Sequence, residues 1–587
     1  VNTRPLHVLV GALLAAAFSM LIVSMVTRPA PLEPGSFGAE VELEPLDRMA
    51  VYHQGRLKSF ESFANELLGF VSGREKFNDL PRDLLYLDMM FRAPNYQDAD
   101  LIYIKNKSMR EQIVEALDTP AGFNDPVEEG LGQRLDRFME SGLISARLLS
   151  DPRVEALKAG WRSDLIKTAK FVDRMESAVG LVDQNSLAGL LRVVPPPSGD
   201  LNEPWLSVRD LQIEAVNPDQ VRPEARRVFD TMPDDLRNDL LVQWRGLVEA
   251  WVSQNAEQAN DAMVGFAELL PRVSPEIYPE PARMQWEGLY FQLKNLTWVW
   301  LVYLLSCIFL LMAIVFRWDG ARGLGVGVFG VAFLLHTASI GLRWWVSGRW
   351  PNSNMFEAVT TAFWFGAGAA VLLEIWGRKT QFRNMFLLTG AVGSMVAMMS
   401  ANFSSKLDAS INNMMPVLHD LWLYIHTNVI IASYALIFMA AVSSLLYLGW
   451  RMIGGGPDYA RVGGTEMLMD AASEGDSVPA KKRRASLGEV FDGATLVLVE
   501  FSFVLLWAGI VMGAIWADHS WGRPWGWDPK EVFAMNTFLV FVIMLHVRLK
   551  ARDKGLWTAL LGLVGAGVMA FNWIVINFVI SGLHSYA

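Results

Sequence analysis

Eight apolar stretches, each near the length needed to cross a bilayer, crowd the second half of the chain. They fall near 297–316, 323–345, 357–376, 384–401, 426–450, 493–516, 531–549 and 557–582. Roughly 20 apolar residues in helical rise match the hydrocarbon core. A chain inside lipid must satisfy its own backbone hydrogen bonds, which leaves helices or closed barrels, and runs of this length choose helices. A ninth run, residues 7–27, precedes a linker marked by Pro29, Pro31 and Pro34. It reads as a retained anchor, since no small-x-small site precedes Arg28, with a cleaved signal peptide as the alternative. The expected fold is an all-α polytopic membrane protein with about nine transmembrane helices.

The connections orient the spans. Arg317 with Arg322, Arg378 to Arg383, Lys481 to Arg484, and Arg548 to Lys554 fall in alternate loops. The excess of Lys and Arg in cytoplasmic loops puts all four on the inner face. The remaining loops, the long polar stretch and the C-terminal Gly582-Leu-His-Ser-Tyr586 then lie outside. Three regions follow: an anchor over 1–28, an outer soluble domain over 29–296 and a membrane domain over 297–587. The expected location is a bacterial inner membrane, with the soluble domain in the periplasm.

That domain alternates amphipathic helical patterns, such as Pro233 to Val248, with Pro- and Gly-marked breaks, and it reads as mostly α. The break Pro195-Pro-Pro-Ser-Gly199 is expected to divide it in two. It carries no catalytic motif. A net charge of −10 supplies no basic stripe for nucleic acid. The one cysteine, Cys307, sits in an apolar run, which excludes a disulfide framework and a thiolate metal site.

Chemistry concentrates between two spans, over residues 516–531. There Trp521, Trp525 and Trp527 fall within seven residues, with Gly522 and Gly526 permitting close backbone approach. An interfacial aromatic belt is the bland reading. The tight spacing instead makes a surface for a large flat apolar ligand. Asp528-Pro-Lys-Glu531 is a helix-start signal, with Asp528 as N-cap, Pro529 at N1 and Glu531 reaching back.

The pattern Trp-Gly-x-x-Trp-x-Trp-Asp resembles the tryptophan-rich signature of haem-handling proteins. Residues 297–587 look most like the CcsA (ResC) family, the core of the system II cytochrome c synthase. The likeness includes Arg343 to Glu357, Tyr424-Ile-His-Thr427 with Ser433-Tyr434, Leu545-His-Val-Arg548 and Gly582 to Tyr586. It implies that His426 and His584 ligate the iron of haem b at the outer face, over a platform of Trp521, Trp525, Trp527 and Asp528. Depth agrees: the topology sets both histidines at the outer ends of their spans, and neutral imidazole is a good axial ligand.

His546, near the inner end of its span, matches the family's ligand to a second, inner haem. The other inner ligand normally comes from a CcsB (ResB) partner, and His7 or His336 are the candidates here, His7 agreeing better in depth. Arg343, Arg349 and Arg523 are candidate partners for the haem propionates, Arg343 foremost, with ordinary snorkelling as the alternative. The implied activity is haem transport and thioether attachment to an apocytochrome c Cys-x-x-Cys-His segment, a holocytochrome c synthase-type haem lyase. A separate thiol reductant and a CcsB-like subunit are the expected partners, in contact with membrane lipid. The second reading is an exporter or chaperone that delivers haem without forming the covalent bond.

Overall fold

A computed structural model of the chain describes residues 36–580 apart from 74–75, 78–79, 97, 119–129, 165–167, 201–202, 405, 412, 414–418, 462, 467 and 469–484. The apolar run 7–27, His7 and His584 lie outside the described residues. The chain divides into two compact units, one within Arg28–Phe291 and one within Gln292–Ala587.

The first unit is mostly helical, with short antiparallel strand pairs such as Ala50–His53 on Arg56–Ser59. The amphipathic pattern beginning at Pro233 forms the helix Asp234–Val252, which buries Leu240, Trp244, Leu247 and Trp251. The indole Nε1 of Trp251 donates to Asp88 Oδ1 at 2.9 Å and so ties this helix to Arg82–Phe91. The proline run at 195–199 does not divide the unit. Arg192–Val194 pairs with Leu206–Ser207 across it, and one core draws Leu187, Val193, Leu206 and Leu211 from both sides. Pro lacks an N–H and presets φ, so a proline cluster closes a turn between paired strands as readily as it makes a linker. A second core, around Ile113, Phe138, Leu149 and Val172, lies wholly upstream of that run.

The second unit makes the chain an all-α polytopic membrane protein. Among the described residues, eight helices are long and apolar enough to cross a membrane. They are α1 (Lys294–Phe316), α2 (Asp319–Ser347), α3 (Met355–Gly377), α4 (Met385–Phe403), α5 (Leu421–Met452), α6 (Leu487–Trp521), α7 (Pro529–Lys550) and α8 (Lys554–Phe578). Each coincides with one of the eight apolar stretches. Their ends obey capping chemistry: Ser486 and Glu489 form a capping box at the start of α6, and Gly348 and Gly522 terminate α2 and α6 in the left-handed region.

Small residues let the helices approach closely. A Cβ on Gly390 would meet Ala370 Cβ at 2.5 Å, and one on Gly562 would meet Ser444 Oγ at 2.7 Å. The apolar window of α5 is 61% buried and that of α7 only 17%, so α7 is an edge helix. At the end of the bundle opposite the Trp-rich loop, non-helical backbone around residue 460 docks on buried charge. Asp492 accepts from the Ala460 N–H at 2.8 Å, while Arg548 bonds Asp492 and the Ala460 carbonyl.

Candidate functional site

The site is built where α5 and α6 touch near their Trp-loop ends. Asp420 caps α5 by accepting from the Trp422 and Leu423 N–H groups, and His426 follows in the second turn. Across from it, α6 carries Gly509 and Gly513, one turn apart on the same face. A Cβ on Gly509 would meet Ile430 Cδ1 at 2.5 Å, and one on Gly513 would meet His426 Cε1 at 2.6 Å. The two glycines therefore cut the groove in which Ile430 and the imidazole sit. His426 Nδ1 lies 2.7 Å from the Gly509 carbonyl oxygen. A carbonyl only accepts, so Nδ1 carries the proton, and in the neutral ring the lone pair is on Nε2. A histidine ligand of a metal has its tautomer set in this way.

The Trp-rich loop joins α6 to α7. Asp528 is the N-cap of α7, Pro529 its first residue, and Asp528 with Glu531 completes a capping box. Glu531 Oε2 also accepts from the Gly526 N–H at 2.9 Å, besides the Asp528 N–H at 3.1 Å, so one carboxylate pins both ends of Gly526-Trp527-Asp528. The turn forces Trp527 to φ = 58°. A bulky residue there is uncommon and costs roughly 1–2 kcal/mol. Trp527 is nonetheless 72% exposed, and it meets Trp525 edge to face at 6.1 Å. Trp521, on the last turn of α6, is 46% exposed.

A cavity of about 260 Å³ opens against this assembly. His426, Tyr424 and Tyr434 of α5, Trp516 and Gly513 of α6, Trp525 of the loop, Lys530 and Glu531 of α7 and Trp573 of α8 all line it. Tyr434 and Trp573 meet at 5.6 Å. The wall is thus aromatic, with an imidazole on one side and a few polar groups, which is the make-up of a site for a flat, mostly apolar, metal-bearing ligand.

The residues singled out from the sequence divide on this geometry. His426 and Trp525 meet at the cavity, and Asp528 braces the loop beside it. Arg343 has a different environment. It is 1% exposed, its Nε donates to Glu357 Oε1 at 2.8 Å, and its Nη1 and Nη2 donate to the Ala409 and Ser410 carbonyls at 2.8 and 3.0 Å. Arg349 joins the same carboxylate. These arginines fasten the 348–354 and 409–410 segments to α2 and α3. His336 is fully buried between the Tyr303 hydroxyl at 3.2 Å and the Thr360 carbonyl at 3.1 Å, an arrangement that fits a satisfied packing residue. His546 is exposed on edge helix α7, its Nδ1 2.7 Å from the Val542 carbonyl, which again puts the lone pair on Nε2.

Tyr434, Lys530, Asn572 and Asn577 line the cavity without having been singled out as site residues. Asn572 and Asn577 are amides in an otherwise apolar final span, and that contrast was the available signal.

Residues 352–584 match the family model described as Cytochrome C assembly protein. The chain is 32% identical over 267 residues to the cytochrome c biogenesis protein CcsA of Parasynechococcus marenigrum, covering 44% of this chain and 84% of that protein. It is 29% identical to CcsA of Gloeobacter violaceus, covering 45% of this chain and 86% of the relative. Protein NrfI of Wolinella succinogenes is 27% identical over 545 residues, 91% of this chain, so that similarity reaches into the first unit as well. The chain spans about half of NrfI, 53% of its length.

Proposed function

The chain belongs to the CcsA family, whose role is cytochrome c biogenesis, and from that premise we propose that it brings haem b to its Trp-rich end and supports attachment of haem to apocytochrome c. One observation carries the reading: His426, its Nδ1 bonded to the Gly509 carbonyl, lines an aromatic cavity beside an exposed tryptophan loop. His426 is one axial ligand. His584 is the other; it follows the cavity residue Asn577 by seven residues, a length of chain that spans up to about 25 Å. Trp525 forms part of the wall, and Trp521 and Trp527 are the platform that the substrate meets.

Haem supplies the two vinyl groups that react. Each thiol of the Cys-x-x-Cys-His segment adds across a vinyl double bond: sulfur bonds the carbon next to the ring and hydrogen goes to the terminal carbon, with no net oxidation. The residues of this chain position and orient, which is where much of the acceleration of such an addition lies. The thiols must arrive reduced, so a separate reductant precedes this step.

His546 is assigned to an inner site on the import route, with His7 of the apolar run 7–27 or a CcsB-like partner supplying the opposite ligand. The burial of His336 supports a packing role for it instead. The alternating basic loops support an orientation with the Trp-rich loop and residues 29–296 in the periplasm.

The test is co-expression with an apocytochrome c in cells that lack other maturation systems. Covalent haem staining of the cytochrome, lost in His426→Ala, is the expected result. Haem bound to the purified protein without any holocytochrome would favour the carrier reading. Unaltered haem spectra in both His426→Ala and His584→Ala would sink the ligand assignment.

A further inference from the structure

The cavity has a polar floor that neither the iron ligand nor the tryptophan platform uses. In α8 the helix widens to a π turn over Phe571–Val575, and such insertions frequently mark functional positions. Asn572 sits in this turn, lines the cavity and is 4% exposed. Its Nδ2 donates to the Tyr434 hydroxyl at 3.0 Å and to the Lys530 carbonyl at 3.2 Å. The carbonyl needs a donor, so the amide cannot be turned the other way round.

Asn572 Oδ1 is consequently buried without a hydrogen-bond partner among the described residues. Beside it, the Tyr434 oxygen already accepts from Asn572, so its own proton is available to donate. An acceptor and a donor therefore stand together on two residues that line an apolar cavity. A buried polar atom with no protein partner calls for one from a ligand or a water.

This pair is the complement of an un-ionised carboxyl group. The acid O–H would donate to Asn572 Oδ1, and its C=O would accept from Tyr434. Low-dielectric surroundings favour the neutral acid.

Tyr434 lies eight residues beyond His426 on α5, about 12 Å along the helix by its rise. A porphyrin held at His426 would be wide enough to bring one edge to the floor. On haem the two propionates occupy the edge opposite the two vinyls. Resting on the haem reading above, we propose that Asn572 and Tyr434 receive a propionic acid side chain. They would thereby fix the porphyrin with its propionates deep and its vinyls toward the Trp-rich loop, where the thiols arrive. Asn572 and Tyr434 are positioning residues in this scheme.

The experiment titrates the full chain, purified in detergent, with ferric haem and separately with ferric haem dimethyl ester, following the Soret band. The wild-type protein is expected to bind the free acid at least about tenfold more tightly than the diester. Asn572→Leu and Tyr434→Phe should each erase most of that preference by lowering affinity for the free acid more than for the diester, a result that global damage would not give. Equal affinity of the wild-type protein for both porphyrins overturns the proposal and makes the Asn572 partner a water. A preference that survives in Tyr434→Phe, which removes a single oxygen, also overturns it, even if Asn572→Leu does not fold. A wild-type protein that gives no histidine-ligated Soret band with either porphyrin overturns the haem reading itself, which is a distinguishable outcome.

Discussion

His426 Nδ1 and the Gly509 carbonyl oxygen lie 2.7 Å apart, in a bond that runs from α5 to α6. One turn further along α6, Gly513 leaves empty the volume that the imidazole fills. The orientation of the His426 ring is thus a property of two helices, and the second contributes only backbone.

Gly513→Ala places a methyl carbon 2.6 Å from His426 Cε1 and must displace the ring. Haem bound in the purified protein is expected to fall at least about tenfold, read from the Soret band at matched protein concentration. Gly567→Ala, where an added Cβ meets nothing within 4 Å, should leave haem content unchanged. Equal behaviour of the two variants would separate ligand geometry from this packing.

Glu531 holds the Gly526 and Asp528 amides. Glu531→Ala should weaken the start of α7 by about 1 kcal/mol and raise hydrogen exchange at residues 522–532. Exchange confined to other segments would show that the loop is held by something else.

The left-handed backbone of Trp527 stores strain that glycine would relieve. Trp527→Gly is expected to raise the thermal midpoint slightly and to lower holocytochrome yield, because the exposed indole goes with the strain. A gain in stability without a loss of yield would remove Trp527 from the platform.

Arg343 and Glu357 form a buried pair. Removing one partner, as in Arg343→Met, leaves Glu357 with Arg349 as its remaining cation and strips a donor from the Ala409 and Ser410 carbonyls, and should cost about 3 kcal/mol, seen as a lowered thermal midpoint and reduced accumulation in the membrane. Haem affinity of the folded fraction should be unchanged. Lost affinity at full stability would return Arg343 to the propionates.

In the unit within Arg28–Phe291, burial, with Asp83 nearby, pushes the Asp47 carboxyl up to about 9. The folded state then binds a proton that the unfolded chain releases near pH 4. Stability contributed by this group is present below that value and is lost as pH rises toward 9. Asp47→Asn should therefore raise the midpoint of this unit at pH 8 and flatten its pH dependence between about 4 and 9. An unchanged profile in thermal unfolding would refute the assignment.

Much of the membrane unit was legible because lipid imposes one rule on the chain. Each apolar stretch of sufficient length had to become a helix, and the eight that fall among the described residues did. The Asp528 cap was legible for a similar reason, since Asp-Pro-x-Glu acts within four residues. The pairing across Pro195–Gly199 was not, because a proline cluster looks the same whether it links two cores or turns between two strands. Nor was the fate of Arg343: a cation at a helix end has a carboxylate fourteen residues away as its partner, and only folding brings them together.

What the sequence by itself determined is the set of helices and the chemical kinds present: imidazole, indole, amide and a lone thiol. Those follow from hydropathy and from local capping, which act between near neighbours. The tertiary structure decided which nitrogen of His426 holds a proton, which tryptophan reaches the cavity and which amide oxygen is left without a partner. Each of these depends on a close approach between segments distant in the chain: Gly509 to His426, and Asn572 to Tyr434 and Lys530. Contacts of that kind are selected by packing, and packing is a property of the folded whole.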